Sequence, residues 1–371
     1  MSVFEELDEP LRVLPADGSA GPEPASVGAS AEELREMYRL MAMARAADIE
    51  STALQRQGEL AVYPQLIGQE AAQIGSAFAL QPTDWIFPSY RELGAALVRG
   101  IDLVEYLAFY RATWHGGLWD PAEHRFAMVS VPVASQILHA VGFAMGAKLD
   151  GERLCAVAYF GDGATSEGDF HEGCNFAGVF GAPVVLFCQN NQWAISVPLV
   201  EQTSAPIHRK AASYGFPGVR VDGNDVLAVF TAVREAAARA RDEGIPTLVE
   251  AVTYRMAGHS TADDPSRYRT SEEEDGWRAR DPIDRYRSWL AAAGIAGEDL
   301  FASVDEDARR LTARIRTGVT TMEPRPVEEM FEWVYAGPPD TLMRQRDEVL
   351  GRLAGGRRPG LRGPDGEAAD G

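Results

Sequence analysis

Cysteine, lysine, positive charge and long apolar runs are all scarce in this 371-residue chain. The three cysteines, Cys155, Cys174 and Cys188, are odd in number and sit among apolar residues. That excludes a disulfide framework and reads as small buried hydrophobes in a reducing compartment. No stretch approaches the roughly 18 consecutive apolar residues of a membrane span. The N-terminus is acidic, with Glu5, Glu6, Asp8 and Glu9, the opposite of a secretory or transit signal. A soluble, cytoplasmic protein with no membrane association is expected. Basic residues number 35 against 55 acids, for a formal charge of −20, so nucleic acid and anionic membranes are disfavoured as partners. Only Lys148 and Lys210 are lysines; the other basic residues are arginine, a compositional bias rather than a functional patch.

What is present is an ordinary globular composition, 46% hydrophobic and 24% charged, enough for a substantial core. Residues 1–29 are rich in Pro, Gly, Ala and Ser without periodicity and are expected to form a flexible arm. Ser30 and Glu33 make a capping box ahead of a long helical pattern through Met37, Met41 and Leu54. Apolar runs at 154–160, 183–188, 219–221 and 247–253 read as strands. Between them lie helical patterns carrying Phe170, Cys174 and Ala177, and Val226, Phe230, Val233, Ala237 and Ala240. This alternation predicts an α/β fold, a parallel sheet covered by helices on both faces, over residues 30–276. A helical C-terminal extension is expected over 277–352, with Leu300, Val304, Leu311 and Ile315 in register and a break at Pro324 and Pro326. Residues 353–371 are expected to be disordered.

The strand ending at Phe160 runs into Gly161-Asp162-Gly163-Ala164-Thr165-Ser166. Glycines at a strand-to-helix junction permit close approach, and the helix N-terminus offers free N–H groups to a phosphate. A P-loop is excluded, since no GxxxxGK[ST] occurs. A dinucleotide fingerprint fits poorly: the turn reads GxGxxS, Asp162 would face a bare pyrophosphate, and the next strand ends in Gln189-Asn190-Asn191 instead of an acid. A divalent cation between carboxylate and phosphates reconciles the acid with the turn, and magnesium takes hard oxygen ligands of this kind. The plain alternative is a glycine turn followed by an unrelated asparagine-rich loop.

GDG, then 26 residues, then NN resembles the thiamine-diphosphate motif. The resemblance extends over about residues 35–350. It is carried by YPQLIGQEAAQIG, FPSYREL, SVPVASQILHAVG, GDGATSEGDFHEGCNFAG, QNNQWAIS, RVDGNDVLAV and TYRMAGHSTADDPSRYR. These blocks resemble the alpha subunit of the decarboxylating component of 2-oxo acid dehydrogenase complexes, of the branched-chain and pyruvate types. The resemblance implies a thiamine-diphosphate-binding fold, with thiamine diphosphate and Mg²⁺ as cofactors. Asp162, Asn191 and the carbonyl of Trp193 would hold the magnesium; relatives usually carry another aromatic at 193. Tyr90 and Arg91 would meet the diphosphate, where an arginine fork suits phosphate. Gly163 and Ala164 would give backbone contacts, and Val131 and Val133 would pack near the cofactor rings. Ser130, Pro132, Ser135 and Gln136 match a pattern that holds K⁺ in branched-chain relatives.

The resemblance implies catalytic roles in TYRMAGHSTADDPSRYR, at Arg255, His259 and Ser260, with His259 set against the diphosphate near the reacting carbon. His115, His124, His139, His171 and His208 are read as structural. Two decoys fail: Gly258–Ala262 lacks the last glycine and following helix of a nucleophile elbow, and His171-Glu172 lacks the second histidine of a zinc helix. The loop around His259 is polar and without apolar anchors, so ordering on cofactor binding is expected. Mitochondrial relatives are phosphorylated on serines here; Ser260 matches one position and Thr270 stands at the other, so regulation is not inferred. The glutamate that activates the cofactor lies in a separate beta subunit in this family, implying an α2β2 heterotetramer with active sites at the α–β junction. The acyl product would pass to a lipoylated acyltransferase component. The substrate would be a small 2-oxo acid, branched-chain favoured and pyruvate next, with Val62 in place of a larger aromatic. A NAD-linked oxidoreductase and a non-catalytic binding subunit are the alternatives.

Overall fold

The computed structural model describes residues 9–19, 21–112, 117–332 and 334–355. Two compact units are present, Met1–Thr321 and Met322–Gly371. The first is built on a five-stranded sheet of β1 (Trp85–Phe87), β2 (Ala156–Gly161), β3 (Val184–Asn190), β6 (Gly218–Asp222) and β7 (Thr247–Val252), in the order β1-β2-β3-β7-β6. Every pairing in it is parallel. A two-residue hairpin, β4 (Trp193–Ala194) and β5 (Val197–Pro198), follows β3.

Alternation along the strands divides the core in two. Val157, Tyr159, Val185, Phe187, Val249 and Ala251 point to one face, against the helices Ala31–Arg56, Glu70–Phe78 and Val226–Glu243. Their neighbours Ala156, Ala158, Phe160, Val184, Leu186 and Cys188 point to the other, against the helices Ser135–Leu149 and Gly168–Phe180. The central strands β2, β3 and β7 are buried along nearly their whole length and so bury both faces, at roughly 1.5–3 kcal/mol per large apolar side chain. The expected sheet with helices on both faces is present. The capping box forms as read, with Glu33 N–H on Ser30 Oγ at 3.2 Å and Ser30 N–H on Glu33 Oε2 at 2.6 Å. β1 escaped the sequence reading because three residues between Pro82 and Pro88 carry no measurable periodicity.

Composition suggested a flexible arm up to residue 29, but the described part of it lies along the fold. Leu11 pairs with the β6 edge, its N–H on Arg220 O at 2.9 Å and its carbonyl taking Asp222 N–H at 3.0 Å. The Asp225 carboxylate accepts the N–H groups of Val13 and Leu14, both at 2.7 Å, and Leu14 is buried. An otherwise open sheet edge is thereby covered. The helix Glu298–Thr320 packs on Ala31–Arg56, with the Tyr38 and Phe301 rings 5.1 Å apart, and it ends before Pro324. The second unit holds the helices Glu329–Glu332 and Asp340–Ala354. Residues 1–8, His115 and 356–371 lie outside the described residues. Among the described residues no helix is long and apolar enough to cross a membrane, and all three cysteines are buried and free.

Candidate active site

Parallel strands end on one edge of the sheet, and ligands in such folds lie outside those carboxyl ends. Four segments leave that edge here: Ser89–Glu92 after β1, Asp162–Ser166 after β2, Asn191–Ile195 after β3, and Thr253–Ser260 after β7. They enclose a cavity of about 700 Å³. Tyr90, Arg91, Ser130, Val131, Val133, Gln136, Asp162, Gly163, Ala164, Asn191, Trp193, Arg255, His259 and Ser260 all line it. Of the site residues read from the sequence, Pro132 and Ser135 alone stand outside this lining. Asp162 and Asn191 thus face one space.

One group of cavity residues is acidic and hard in donor chemistry. Asp162 is 1% exposed, and its Oδ2 accepts from the neutral amide of Gln202 at 2.8 Å. Burial pushes its carboxyl up from the usual range, as expected for a carboxylate without enough compensating positive charge. Asn191 gives its Nδ2 to Gln69 Oε1 at 3.1 Å, and its Oδ1 accepts the Trp193 N–H at 3.4 Å. Gln192, at φ +74°, turns the chain after β3, and the Trp193 carbonyl accepts from Arg255 Nη1 at 3.0 Å. Gly163 is required by space: a Cβ there would lie 2.8 Å from Ala194 Cβ. Among the described residues no three His, Cys, Asp or Glu side chains gather as a metal site. The donors here are one carboxylate, one amide oxygen and one carbonyl, all hard oxygens that suit magnesium.

Basic groups line the same cavity. Arg91 donates through Nη1 to Gln65 O at 2.5 Å and through Nη2 to His259 O at 2.9 Å, with His259 Nδ1 at 3.4 Å. Tyr90 stands edge-on to the His259 ring at 5.9 Å. Burial, with the charges of Arg91 and Arg255, pushes His259 down to about 3, so its imidazole is neutral at physiological pH. Arg255 is fully buried and gives Nη1 to Trp193 O at 3.0 Å and Nη2 to Ile195 O at 2.9 Å. It ties the β3 turn to the His259 loop, and burial beside Arg91 pushes its pKa down to about 10. Two guanidinium groups, an imidazole and a buried carboxylate lining one cavity fit an anionic tail bound together with a cation.

The His259 loop is better held than its sequence suggested. The Asp263 carboxylate accepts His259 N–H at 2.6 Å and the Tyr268 hydroxyl, and Arg269 donates to the carbonyls of Arg255 and Ala257. An apolar anchor exists after all: the Tyr268 ring packs on Trp193 at 5.3 Å. In the 130–136 segment, Ser130 Oγ and Ser135 Oγ lie 2.6 Å apart and Ser135 Oγ donates to Pro132 O at 2.8 Å. Gln136 donates to Tyr159 O at 2.7 Å, and its buried Oε1 has no hydrogen-bond partner. Val131 and Val133 are about half exposed at the cavity mouth.

A family model for the dehydrogenase E1 component matches residues 38–324, the stretch that carries all four site segments. The chain belongs to the dehydrogenase E1 component family. It is 49% identical over 348 residues to the 3-methyl-2-oxobutanoate dehydrogenase subunit alpha of Mycobacterium tuberculosis (strain ATCC 25618 / H37Rv), covering 93% of this chain and 95% of that one. The 2-oxoisovalerate dehydrogenase subunit alpha 1, mitochondrial, of Arabidopsis thaliana is 38% identical over 344 residues, 90% of this chain and 73% of its own length. The pyruvate dehydrogenase E1 component subunit alpha of Acholeplasma laidlawii is 40% identical over 333 residues, 87% and 94% respectively. The resemblance read from the sequence blocks is therefore shown, and the nicotinamide-dinucleotide alternative is displaced.

Within this E1 chain the sequence reading missed Gln69, Glu92 and Gln189, which also line the cavity. Glu92 is buried and accepts from Ser89 Oγ at 2.8 Å and Gln189 Nε2 at 2.6 Å. Glutamines carry no spacing signal of their own. Glu92 was within reach of sequence reasoning, since it directly follows Arg91 in SYREL. Three of the histidines read as structural take structural partners: His124 bonds Arg99 O at 3.0 Å, His171 bonds Tyr214 OH at 2.5 Å, and His208 bonds Glu250 at 3.1 Å. His139 is exposed on the Ser135–Leu149 helix.

Proposed function

We propose that this chain is the alpha subunit of a branched-chain 2-oxo acid dehydrogenase, acting in the cytoplasm with thiamine diphosphate held through Mg²⁺. The observation that carries the reading is the one cavity lined by Asp162, Asn191 and Trp193 together with Tyr90, Arg91 and His259. Asp162, the Asn191 amide oxygen and the Trp193 carbonyl would hold the magnesium. Arg91, Tyr90, Gly163 and Ala164 would hold the diphosphate, and Val131 and Val133 would flank the rings. When bound, thiamine diphosphate supplies the carbon nucleophile and the electron sink for loss of carbon dioxide from a 2-oxo acid.

The chain's own residues then have defined tasks. Arg91 and Arg255 offset at short range the repulsion that a net charge of −20 exerts on an anionic substrate. Neutral His259, held by Arg91 through its carbonyl, can offer a hydrogen bond near the reacting carbon. Ser260 lies beside it at the cavity wall. A potassium ion held by Ser130, Pro132, Ser135 and Gln136 would stiffen the segment bearing Val131 and Val133. The half-exposed valines at the mouth suit cover by a beta subunit that brings the activating glutamate, in an α2β2 assembly. The acyl group would leave on the lipoyl arm of an acyltransferase component.

The test is co-expression with a beta-type partner, followed by carbon dioxide release from 2-oxoisovalerate and pyruvate with thiamine diphosphate and Mg²⁺. Faster turnover of 2-oxoisovalerate is expected. Preference for pyruvate would shift the reading to the type named for the 40% identical Acholeplasma laidlawii relative. Activity untouched by Asp162→Ala would make the chain a non-catalytic binding subunit.

A further inference from the structure

Behind the cavity wall sits a carboxylate that the chemistry above does not use. Asp48, on the helix Ala31–Arg56, is 1% exposed and is not part of the cavity lining. Its Oδ1 accepts the Tyr63 hydroxyl at 2.9 Å and Leu66 N–H at 2.8 Å, and its Oδ2 accepts Ile67 N–H at 3.2 Å. All three donors belong to the irregular segment 61–68, whose Ala61, Val62 and Pro64 form part of the wall. The same segment grips Arg91 and the chain around His259. Tyr63 N–H donates to Thr261 Oγ1 at 3.1 Å and Tyr63 O accepts Thr261 N–H at 2.9 Å. Gln65 O takes Arg91 Nη1, Ile67 O takes Met256 N–H at 3.0 Å, and Gly68 O takes Thr253 Oγ1 at 2.9 Å. At Gly68, φ is +96° and a Cβ would lie 2.2 Å from Tyr254 O, so the segment is seated tightly on the chain leading to His259.

We infer that Asp48 is a positioning residue, which fixes the 61–68 segment and through it the placement of Arg91 and the His259 loop for cofactor binding. The inference rests on the thiamine-diphosphate reading. A segment without regular structure needs its backbone N–H groups satisfied from outside, and a single buried carboxylate does this for two of them. Burial pushes Asp48 up to about 6, with the nearby charge of Glu70 adding to it. Because the folded value lies above the unfolded one, the ionised form at neutral pH costs the fold stability. A charge kept at that cost, with its acceptors turned on a cavity wall, is explained by what the wall positions.

The experiment uses the co-expressed assembly. Asp48→Asn keeps size and removes the charge, and places an N–H₂ opposite a backbone N–H. Expected are a Tm within about 3 °C of the parent, thiamine-diphosphate Kd raised about tenfold or more at saturating Mg²⁺, and faster tryptic cleavage at Arg267 or Arg269. Tyr63→Phe, which removes one of the three bonds, should fall between. Ala44→Gly on the same helix, which loosens the helix away from the segment, should lower Tm without moving Kd. Parental Kd and cleavage in Asp48→Asn, or a Kd loss that Ala44→Gly reproduces, would overturn the inference. If Asp162→Asn and Arg91→Ala also left Kd unchanged, the cofactor reading itself would fall, a distinct result.

Discussion

The acidic and the basic groups of the cavity are positioned by different means. Asp162 and Asn191 follow adjacent strands paired in fixed register, Gly161 beside Gln189, so the sheet itself brings the carboxylate and amide together. His259 and Arg91 meet through loops, held by hydrogen bonds spanning up to 198 residues of sequence, such as Tyr63 to Thr261. A site on strand ends inherits the stiffness of a buried sheet, whereas a loop site is only as rigid as its polar ties. The acidic group is thus set by the sheet, and the basic group by its polar ties.

That contrast can be broken most decisively at Asp162. Asp162→Asn should cut decarboxylation about 100-fold or more and abolish Mg²⁺ saturation, while leaving Tm near the parent. Loss of folding instead would mean that this carboxylate is a structural element. Arg91→Lys keeps the charge but not the fork that reaches both Gln65 O and His259 O. Cofactor affinity should drop by roughly tenfold by titration, and an unchanged Kd would show that charge alone suffices.

Smaller effects sharpen the difference between sheet and loop. Tyr268→Phe deletes the hydroxyl on Asp263, worth about 0.5–1.5 kcal/mol locally. Trypsin should cut the 257–270 loop several-fold faster, with hydrogen exchange in β2 and β3 unchanged; protection lost in both would make the two groups one cooperative unit. The mildest test is pH. His259 has a folded pKa near 3 against about 6.5 unfolded, so the unfolded chain takes up a proton that the folded one does not. Stability from this group is full above pH 6.5 and lost as pH falls towards 3. His259→Gln should flatten the difference in unfolding free energy between pH 7 and pH 5 relative to the parent, and an identical slope would contradict the buried neutral imidazole.

The legibility of the chain follows the same division. The strand runs, the glycine turn with Asp162 and the later Asn191 were readable because each is a local pattern tied to a period or a strand end. The parallel sheet then fixed which edge they share. Nothing local marks Leu11 as an extra pairing partner of β6, since the Pro- and Gly-rich stretch around it has no periodicity of its own. Tyr268 likewise looks like one more polar-loop residue until its ring is set on Trp193.

The amino-acid order by itself determined the layered sheet and the pairing of an acid with an amide at neighbouring strand ends, because side-chain alternation and turn chemistry act over a few residues. Folding in three dimensions decided the rest: the docking of the N-terminal segment, the neutral state of His259, and the anchoring of the 61–68 wall by Asp48. Those depend on burial and on hydrogen bonds between residues far apart in the chain, which no short-range pattern encodes.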